Sequence, residues 1–368
     1  MRSLTPWCFS HRMRVAISLD LKFLWTVVLR KCESSVSVRR ESWVERMAAH
    51  ASHNRTEMPL IAIFDDYQNV ALKLADWSPV TARATVTVFD DHLSDSNEIV
   101  DRLSAFDVVC VMRERTPLTR DILERSPHLK LIVSTGPRNA SIDIQAAAEC
   151  GIEVMHTNYD SSPTVELTWA LILASARNLT IETASVQSGG WQRTVGDGLR
   201  GKVLGVLGLG NIGREVARIA GAFGMEVMAW SENLTPEKVA AVGARLVSKR
   251  ELFQQADILT IHLVLSPRTR GLVGKSEFAL MKQSARLVNT SRGPIIDEKA
   301  LLETLRERRL AGAAIDVFDV EPLPPEHPFR RLDNVIATPH IGYVSRDLYR
   351  VFYQDTVANI ADWLRRRS

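Results

Sequence analysis

From Met58 onward, short apolar runs rich in β-branched residues alternate with segments whose apolar residues recur at helical spacing. Such runs predict buried strands, and their alternation with helices predicts parallel α/β sheets. The first series predicts five strands, at residues 60–66, 85–91, 107–112, 129–136 and 152–157. Helical patterns at residues 94–106 and 141–151 fall between these strands, and Asp143 is the kind of residue at which a helix begins.

The pattern restarts after a long helical segment at residues 162–178, where Pro163 lies near the first turn. A second series predicts further strands at residues 202–208, 225–231, 244–248, 257–264, 285–291, 312–318 and 334–340. A final helical pattern at residues 346–367 has no strand after it. The duplication predicts an α/β protein with two Rossmann-like domains, each built on a doubly wound parallel sheet, and a cleft between them.

Residues 1–57 do not follow this pattern. The apolar stretch from Val15 to Leu29 is interrupted by Asp20 and Lys22, and it is shorter than the roughly 20 apolar residues of a membrane-spanning helix. No clear signal-peptide cleavage site follows it, although the arginines and serines leave an organelle presequence open. We expect residues 1–57 to be a poorly ordered N-terminal extension, or a region upstream of a start at Met58.

The charge balance excludes several classes of partner. The 368 residues carry a formal net charge of +3, and ten basic against five acidic residues fall within residues 1–57. The rest of the chain is slightly acidic, so it presents no electrostatic footprint for nucleic acid or an anionic membrane.

Cysteine and histidine usage limits the chemistry further. The four cysteines, Cys8, Cys32, Cys110 and Cys150, form no C-x-x-C pair. We therefore expect a reducing compartment, the cytoplasm, rather than a disulfide framework. The histidines show no metal-ligand spacing such as H-E-x-x-H, so we expect no metal site.

A glycine-rich loop lies between the strand at residues 202–208 and the helical pattern after it. Gly208-x-Gly210-x-x-Gly213 has the dinucleotide-binding spacing, with Asn211 and Ile212 opening the helix. In this motif the first glycine allows a tight turn, the second lets the backbone approach a pyrophosphate, and the third lets helix and strand pack closely. The helix N-terminus then presents free N–H groups to the phosphates. We expect a nicotinamide dinucleotide to bind here.

The ribose-binding position is occupied by Ser231, where an acidic residue is typical of NAD-binding proteins. A serine hydrogen-bonds either a ribose hydroxyl or a phosphate oxygen, so it does not decide between NAD and NADP. Glu232 would repel a 2′-phosphate, and no Lys or Arg follows before Lys238. Since a 2′-phosphate pocket usually needs a cation, we favour NAD and leave NADP open.

Polar side chains follow three late strands. Arg292 comes after the strand at residues 285–291, Asp316, Asp319 and Glu321 come at or after the next, and His340 ends the last. In an open parallel sheet, ligands bind outside the carboxyl ends of the strands. We therefore expect these side chains to lie at the edge where the glycine loop holds its cofactor.

Four motifs from this part of the chain occur together in one known family. They are "GLGNIG" (208–213), "NTSRGPIIDEKALLETL" (289–305), "GAAIDVFDVEPLP" (312–324) and "ATPHIGY" (337–343). With these motifs, the chain from Met58 onward resembles the D-isomer-specific 2-hydroxyacid dehydrogenases, a family that includes phosphoglycerate, glycerate and hydroxypyruvate enzymes.

The resemblance implies a catalytic set of three residues. His340 would donate a proton to the keto group of the substrate during reduction and accept it in the reverse direction, because histidine titrates near neutral pH. Glu321 would pair with His340 and orient it. Arg292 would bind the 2-keto acid through its charged fork and polarise the carbonyl group.

The resemblance also implies cofactor and substrate contacts. Cofactor contacts would come from Thr164, His262, Leu263, Val264 and Thr290. Asp316 would hold the nicotinamide carboxamide. In the family, a glycine-rich loop binds the substrate carboxylate through its N–H groups; here Gly136 matches it, but Pro137 has no N–H to donate. Arg138 stands where a small residue is common, so it is either a substrate ligand or a loop cation that faces solvent, and Tyr343 would narrow the pocket.

The resemblance further implies a domain division. Residues 58–157, completed by the C-terminal helix at 343–368, would form the substrate-binding domain. Residues 158–342 would form the NAD-binding domain, on which a homodimer would be built. The chain would close on its substrate about hinges near residues 158 and 342.

The function expected is an oxidoreductase that transfers a hydride between NAD(H) and a D-2-hydroxy acid/2-keto acid pair. One alternative is an NAD(H)-sensing, corepressor-like binding protein of the same fold. Another is an NADP-preferring glyoxylate or hydroxypyruvate reductase. A formate dehydrogenase-like enzyme fits less well, because those enzymes place glutamine where Glu321 stands.

Overall fold

Two parallel β-sheets organise the part of the chain that the computed structural model describes, Met58–Arg367. The predicted N-terminal extension, residues 1–57, lies outside the described residues, as does Ser368. Every ladder in both sheets is parallel, which confirms the predicted α/β class.

The first sheet has five strands in the order β2-β1-β3-β4-β5. The strands are β1 (Leu60–Ile63), β2 (Thr85–Val88), β3 (Val108–Val111), β4 (Leu131–Ser134) and β5 (Glu153–His156). The helices between them are α1 (Ala71–Leu74), α2 (Ser78–Thr81), α3 (Ser96–Leu103), α4 (Arg120–Glu124) and α5 (Ile144–Glu149).

The second sheet has seven strands in the order β12-β11-β10-β9-β6-β7-β8. The strands are β6 (Val203–Leu207), β7 (Glu226–Trp230), β8 (Arg245–Leu246), β9 (Ile258–Ile261), β10 (Arg286–Asn289), β11 (Gly312–Ile315) and β12 (Val335–Ala337). The helices before and between them are α6 (Ser162–Ala176), α7 (Leu179–Gln187), α8 (Asn211–Ala222), α9 (Pro236–Ala240), α10 (Lys249–Gln255), α11 (Lys275–Phe278) and α12 (Glu298–Arg306). Short 3₁₀ turns lie at Gly293–Ile295 and Pro328–Arg330.

Each sheet is covered on both faces, as a parallel sheet requires. In β1, Ile61 and Ile63 pack into one buried cluster. Ala62 and Phe64, the residue after β1, pack into another on the opposite face. The last helix, α13 (Arg346–Arg366), contributes Phe352, among other residues, to the cluster that contains Ile61. The C-terminal helix thus returns to the first sheet, while the domain bounds themselves stay a prediction.

Each sheet also has a switch point, where the order of the strands reverses. In the first sheet it lies between β1 and β3, and in the second between β6 and β9. Crevices at the carboxyl ends of such strands are the usual ligand sites of doubly wound sheets. Both sheets are therefore of the predicted doubly wound kind.

The predicted strands are all present but shorter than expected. The apolar runs continue past the last paired residue into loops; residues 60–66 are predicted as a strand, for example, and β1 ends at Ile63. The predicted helix entry at Asp143 is confirmed, because its carboxylate accepts a hydrogen bond from the N–H of Ala146, 2.9 Å away. The sequence pattern did not predict α7, which begins after Asn178 adopts a left-handed conformation with φ of 50°.

Within Met58–Arg367, no helix is long and apolar enough to cross a membrane. Cys110 is buried and Cys150 is exposed, and both are free thiols.

Candidate active site

The glycine loop joins β6 to α8 at the switch point of the second sheet. Gly208 has a φ of +101°, and a Cβ there would lie 2.8 Å from the carbonyl carbon of His262. A Cβ on Gly213 would lie 2.1 Å from the carbonyl oxygen of Gly208. Both positions therefore need glycine for the fold itself.

Gly210 differs from its two neighbours, because a Cβ there would meet nothing within 4 Å. The fold leaves open space at the loop's centre. No side chain caps α8, whose first residues are Asn211 and Ile212. An uncapped twelve-residue helix behind an open glycine loop fits the pyrophosphate of a dinucleotide.

Ser231 follows β7, and the next residue, Glu232, forms an ion pair that the sequence did not suggest. Its carboxylate lies 3.2 Å from the guanidinium of Arg268. Arg268 comes from the loop after β9, at a distance of 36 residues along the chain. No Lys or Arg lies between Ser231 and Lys238, so the cation beside Glu232 is Arg268, from a distant part of the chain.

His262 lies directly after β9, beside the glycine loop. Its Nε2 is 2.9 Å from the hydroxyl of Thr260, and its backbone N–H donates to the carbonyl of Leu207. Burial lowers the pKa of His262 to about 3, so its imidazole is neutral at pH 7. The carbonyl of the next residue, Leu263, accepts a hydrogen bond from the hydroxyl of Ser291, and Val264 is exposed.

Three threonines link α6 to the loops around the cleft. The hydroxyls of Thr168 and Thr290 lie 2.8 Å apart, and both residues are buried. Thr164 donates to the carbonyl of Gly342 at 3.0 Å. Thr164 therefore contacts the loop after His340, and Thr290 contacts α6, while their contacts to the cofactor stay a prediction.

Asp316 is fully buried and fixes the loop that carries His340. Its Oδ1 accepts from the Thr338 hydroxyl at 2.6 Å and from the Ile341 N–H at 2.9 Å. Its Oδ2 accepts from the Gly342 N–H at 2.9 Å. Burial raises the pKa of Asp316 above its ordinary value, in spite of these hydrogen bonds. The predicted contact to a nicotinamide carboxamide would be added to this role in the loop.

His340 follows β12 and has a left-handed backbone, with φ of 53°. Its Nδ1 lies 2.6 Å from Oε2 of Glu321. The other carboxylate oxygen of Glu321 accepts the N–H of Phe318 at 2.8 Å, which fixes the carboxylate. Because Nδ1 is engaged in this way, Nε2 is the imidazole nitrogen left for another partner.

Arg292 follows β10 and contacts a residue of the loop after β3. Its Nη1 donates to the carbonyl of Ser291, and its Nη2 lies 2.7 Å from Oε1 of Glu114. Burial opposes ionisation of Glu114, but Arg292 and Arg113 outweigh it, so the pKa of Glu114 lies below its ordinary value. The second oxygen of Glu114 is buried and has no hydrogen-bond partner among the described residues.

Four of the side chains described above line one cavity of about 230 Å³, namely Glu114, Arg292, Glu321 and His340. The second sheet contributes Arg292, Glu321 and His340, and the loop after β3 contributes Arg113, Glu114 and Arg115. Tyr343 also lines the cavity, and its ring meets that of His340 edge-on at 5.4 Å. The structure thus brings together the three predicted catalytic side chains, in a cleft between the carboxyl edges of the two sheets.

The two other predicted substrate residues, Gly136 and Arg138, do not line the cavity themselves, but Gly136 packs against the guanidinium of Arg113, which does. The N–H of Gly136 donates to the hydroxyl of Thr157 at 2.7 Å. Arg138 is exposed, and its contact to the substrate stays a prediction. Its neighbour Asn139 is buried and donates to the carbonyl of Arg113 at 2.6 Å, and this contact anchors the loop with Arg138 outside.

No part in the site was predicted for the charged run from Arg113 to Arg115. The signal was available, since "RER" directly follows the apolar run at residues 107–112. The same rule that selected Arg292 and His340 applies to it, because it lies at the carboxyl end of a strand.

Across the described part of the chain, no cluster of three or more His, Cys, Asp or Glu residues could hold a metal ion.

Comparison with known proteins identifies relatives of the chain. Residues 169–342 match the family model of the D-isomer specific 2-hydroxyacid dehydrogenase NAD binding domain. The chain is 43% identical over 249 residues to a D-3-phosphoglycerate dehydrogenase of Methanocaldococcus jannaschii, covering 67% of this chain and 47% of that protein. It is 39% identical over 270 residues to a hydroxypyruvate reductase of Thermotoga maritima, covering 72% of this chain and 86% of that protein.

A solved structure gives the same result. The crystal structure of phosphoglycerate oxidoreductase from Vibrio cholerae matches with a TM-score of 0.80 and 35% identity, covering 84% of this chain and 99% of that one. The chain spans about half the length of the D-3-phosphoglycerate dehydrogenases of Methanocaldococcus jannaschii and Sus scrofa. The predicted family resemblance, the fold and NAD as the cofactor of the second sheet are confirmed.

Proposed function

The chain belongs to the D-isomer specific 2-hydroxyacid dehydrogenase family, and from this premise we propose that it transfers a hydride between NAD(H) and a D-2-hydroxy acid/2-keto acid pair. One observation carries the proposal. The Glu321–His340 pair and Arg292 line the same cavity. A proton donor and an anion-binding fork are the groups that reduction of a keto acid requires.

His340 handles the proton. In the reducing direction Nε2 donates a proton to the keto oxygen, and in the oxidising direction it removes the proton of the 2-hydroxyl group. Glu321, 2.6 Å from Nδ1, stabilises the positively charged imidazole and holds the ring in place.

Arg292 binds the carboxylate of the substrate and orients its keto group. A guanidinium has five N–H donors, and the contacts to Ser291 and Glu114 use two of them. The remaining donors serve the substrate. Glu114 holds the guanidinium in one orientation, so less side-chain freedom is lost when the substrate binds.

NAD(H), when bound, supplies or accepts the hydride. We propose that Gly208, Gly210, Gly213, Asn211 and Ile212 hold its pyrophosphate, and that Ser231 contacts its ribose. Nearer the nicotinamide, the proposed contacts are Thr164, His262, Leu263, Thr290 and Asp316. The open space at Gly210 and the uncapped N-terminus of α8 support the first group.

The choice between NAD and NADP depends on Glu232 and Arg268. Their side chains are 63% and 70% exposed, and an ion pair in water contributes only about 0–1 kcal/mol. Glu232 both repels a 2′-phosphate and occupies the nearby cation, which supports NAD as the preferred cofactor.

We further propose a cytoplasmic homodimer built on the second-sheet domain. Apolar side chains are exposed on α7 and after it, including Trp191 at 74% and Val195 at 95%. Leu179 and Val186, both on α7, are also exposed. A patch of this kind marks a protein interface, and a second copy of the chain fits the closed symmetry of most oligomers. The free, exposed thiol of Cys150 supports a reducing compartment.

The direct test is turnover by the full-length protein. Oxidation of NADH and NADPH is followed with glyoxylate, hydroxypyruvate, phosphohydroxypyruvate, pyruvate, oxaloacetate and 2-oxoglutarate. We expect at least one keto acid to be reduced with NADH. Tight NADH binding without turnover of any keto acid would overturn the proposal in favour of the corepressor-like alternative.

A further inference from the structure

We propose that Asp65 is a positioning residue for the reaction proposed above. It does not line the cavity, and it acts on His340 through two residues that do, Arg115 and Tyr343. The inference rests on the proposed function, because it assigns a further residue to the same site.

Asp65 lies at the switch point of the first sheet, just after β1, and β1 lies between β2 and β3. The N–H of Phe64 still donates to the carbonyl of Cys110 in β3, at 2.9 Å. The N–H of Asp66 donates to the carbonyl of Phe89, just after β2, at 3.0 Å. Asp65 between them is buried and has a left-handed backbone, with φ of 58°, a conformation that Asp and Asn adopt more readily than most residues. The chain therefore turns at Asp65 with the carboxylate inside the protein.

The carboxylate of Asp65 joins the loops on its two sides. Its Oδ1 lies 3.0 Å from Nδ1 of His92, in the loop after β2. Its Oδ2 accepts a hydrogen bond from the hydroxyl of Thr116, in the loop after β3, at 2.5 Å. The hydroxyl of Tyr67 donates to Oδ1 at 3.3 Å. A buried carboxylate needs such partners, and here both of its oxygens have them.

Asp65 holds Arg115 at two points. Its carboxylate binds Thr116, the next residue along the chain, and its carbonyl accepts a hydrogen bond from Nη1 of Arg115 at 2.7 Å. The backbone that carries the arginine and the guanidinium at its end are thus both fixed to one residue. The guanidinium also lies 4.3 Å from the ring centroid of Tyr67, whose hydroxyl contacts the same carboxylate. Contacts of this kind lock a long side chain in one orientation.

Arg115 in turn supports the wall beside the proton donor. Its guanidinium lies 5.5 Å from the ring centroid of Tyr343, within the range of a cation–π contact. Tyr343 is buried, and its ring meets the imidazole of His340 edge-on at 5.4 Å. Glu321 fixes Nδ1 of this imidazole, and Tyr343 packs against the ring. A displaced Arg115 therefore loosens Tyr343 and changes the direction of Nε2 of His340, and small errors in the position of a reacting group are costly in rate.

The competing explanation is that Asp65 only closes the switch point and stabilises the fold. The neighbouring Asp66 provides a matched control, because both residues are 1% exposed. The carboxylate of Asp66 accepts the N–H of Ala71 at 2.8 Å and the hydroxyl of Tyr353 at 3.4 Å. Neither of these partners lines the cavity. A purely structural role makes the two acids equivalent, whereas a positioning role makes them differ in turnover.

The experiment compares Asp65→Asn with Asp66→Asn in the full-length protein, with NADH and the best keto acid of the panel. Asparagine tolerates the left-handed backbone, and we expect the melting temperature to fall in both variants. In Asp65→Asn, kcat should fall about tenfold to 100-fold, while KM for the keto acid and Kd for NADH stay within about threefold. In Asp66→Asn, kcat should change less than about threefold. An equal loss of kcat in both variants, or a change in KM alone, would overturn the inference.

A second variant keeps the test open if Asp65→Asn does not fold. Thr116→Val has nearly the same shape and removes the hydroxyl that binds Oδ2 of Asp65. We expect kcat to fall in the same direction, by about threefold to tenfold, with NADH affinity unchanged. An unchanged kcat in this variant would count against the route through the carboxylate.

A double-mutant cycle tests whether Asp65 acts through Arg115. Arg115→Met alone should lower kcat, and adding Asp65→Asn to it should lower kcat less than about twofold further, because the route is already broken. Losses that multiply would show that the two residues act independently. An Arg115→Met variant with the kcat of the wild type would equally overturn the inference.

Crystal structures of the variants give a readout without turnover. In Asp65→Asn, Nη1 of Arg115 should leave the carbonyl of residue 65, whereas in Asp66→Asn it should remain there. An Arg115 that keeps its place in Asp65→Asn would refute the positioning role. If the wild-type protein reduces no keto acid at all, the proposed function has failed, and these structures alone decide whether Asp65 holds Arg115.

Discussion

The two sheets have the same kind of switch point but use it in opposite ways. At the switch point between β6 and β9, the loop that follows β6 is built of glycine. At Gly210, no protein atom occupies the space that a side chain would fill. Between β1 and β3 the space is filled by side chains, where Asp65 is buried against Thr116 and holds Arg115 through its carbonyl. One edge leaves its backbone open, and the other is closed by contacts between buried polar side chains.

Two histidines make a similar contrast within the second sheet. Both follow a strand at its carboxyl end. His262 is desolvated without a charged partner, which lowers its pKa to about 3 and keeps it neutral. His340 lines the cavity with a carboxylate 2.6 Å away. The environment, not the residue type, therefore favours His340 over His262 for the proton transfer that we propose.

The largest expected effect is at His340, which would break the contrast between the histidines. His340→Ala should lower kcat by about 10³-fold or more, because the proton donor is lost. The affinity for NADH, measured by fluorescence titration, should change less than about threefold, since His340 is assigned to the substrate. His128→Ala, an exposed histidine outside the cavity, is the control. A large loss of NADH binding would contradict the role given to His340.

The next effect compares two glycines of one loop. Gly213→Ala should lower the free energy of unfolding by about 1–3 kcal/mol, because its Cβ meets the backbone of Gly208. Gly210→Ala should leave the melting temperature unchanged and weaken NADH binding by about tenfold or more, since its Cβ enters the space assigned to the pyrophosphate. Gly221→Ala, which also meets open space, should change neither. If Gly210→Ala binds NADH normally, the pyrophosphate does not approach there.

A smaller effect tests the link between the sheets through Glu114. The folded protein lowers the pKa of this carboxyl, so ionised Glu114 stabilises the fold above its ordinary pKa of 4.5. Glu114→Gln should therefore reduce the free energy of unfolding by about 1–2 kcal/mol at pH 7. The difference from wild type should disappear as the pH falls below 4.5 through the lowered pKa. Denaturant titrations at several pH values check this, and a difference that grows at low pH would reverse the sign.

The smallest effect concerns cofactor choice. Glu232→Gln removes a repulsive charge and releases Arg268, so kcat/KM for NADPH relative to NADH should rise about threefold to tenfold. Ser231→Asp should shift the ratio the other way by reducing NADPH use. An unchanged ratio in both variants would place the 2′-hydroxyl away from these residues.

The sequence predicted one edge of the cleft well and the other poorly. The sequence shows the glycine spacing and three polar residues because each follows an apolar run, at a position with a known chemical meaning. The three residues are Arg292, Glu321 and His340. The fold class follows from the same runs. Strand ends were overestimated, since hydrophobicity continues after pairing stops, as beyond Ile63.

The poorly predicted features depend on contacts between distant segments. Arg268 meets Glu232 across 36 residues, and Arg292 meets Glu114 across 178. Arg138 was predicted to be either a substrate ligand or a loop cation that faces solvent. Its orientation depends on the buried side chain of Asn139, which local periodicity does not reveal.

Transfer of a labelled hydride tests the central claim most directly. The full-length protein is incubated with NADH carrying deuterium at both C4 positions and with the best keto acid of the panel, and the product is analysed by chiral chromatography and mass spectrometry. We expect the wild-type protein to yield a D-2-hydroxy acid with one deuterium at C2, and His340→Ala to yield no such product. An unlabelled or L-configured product, or NADH that binds and is never consumed, would contradict it.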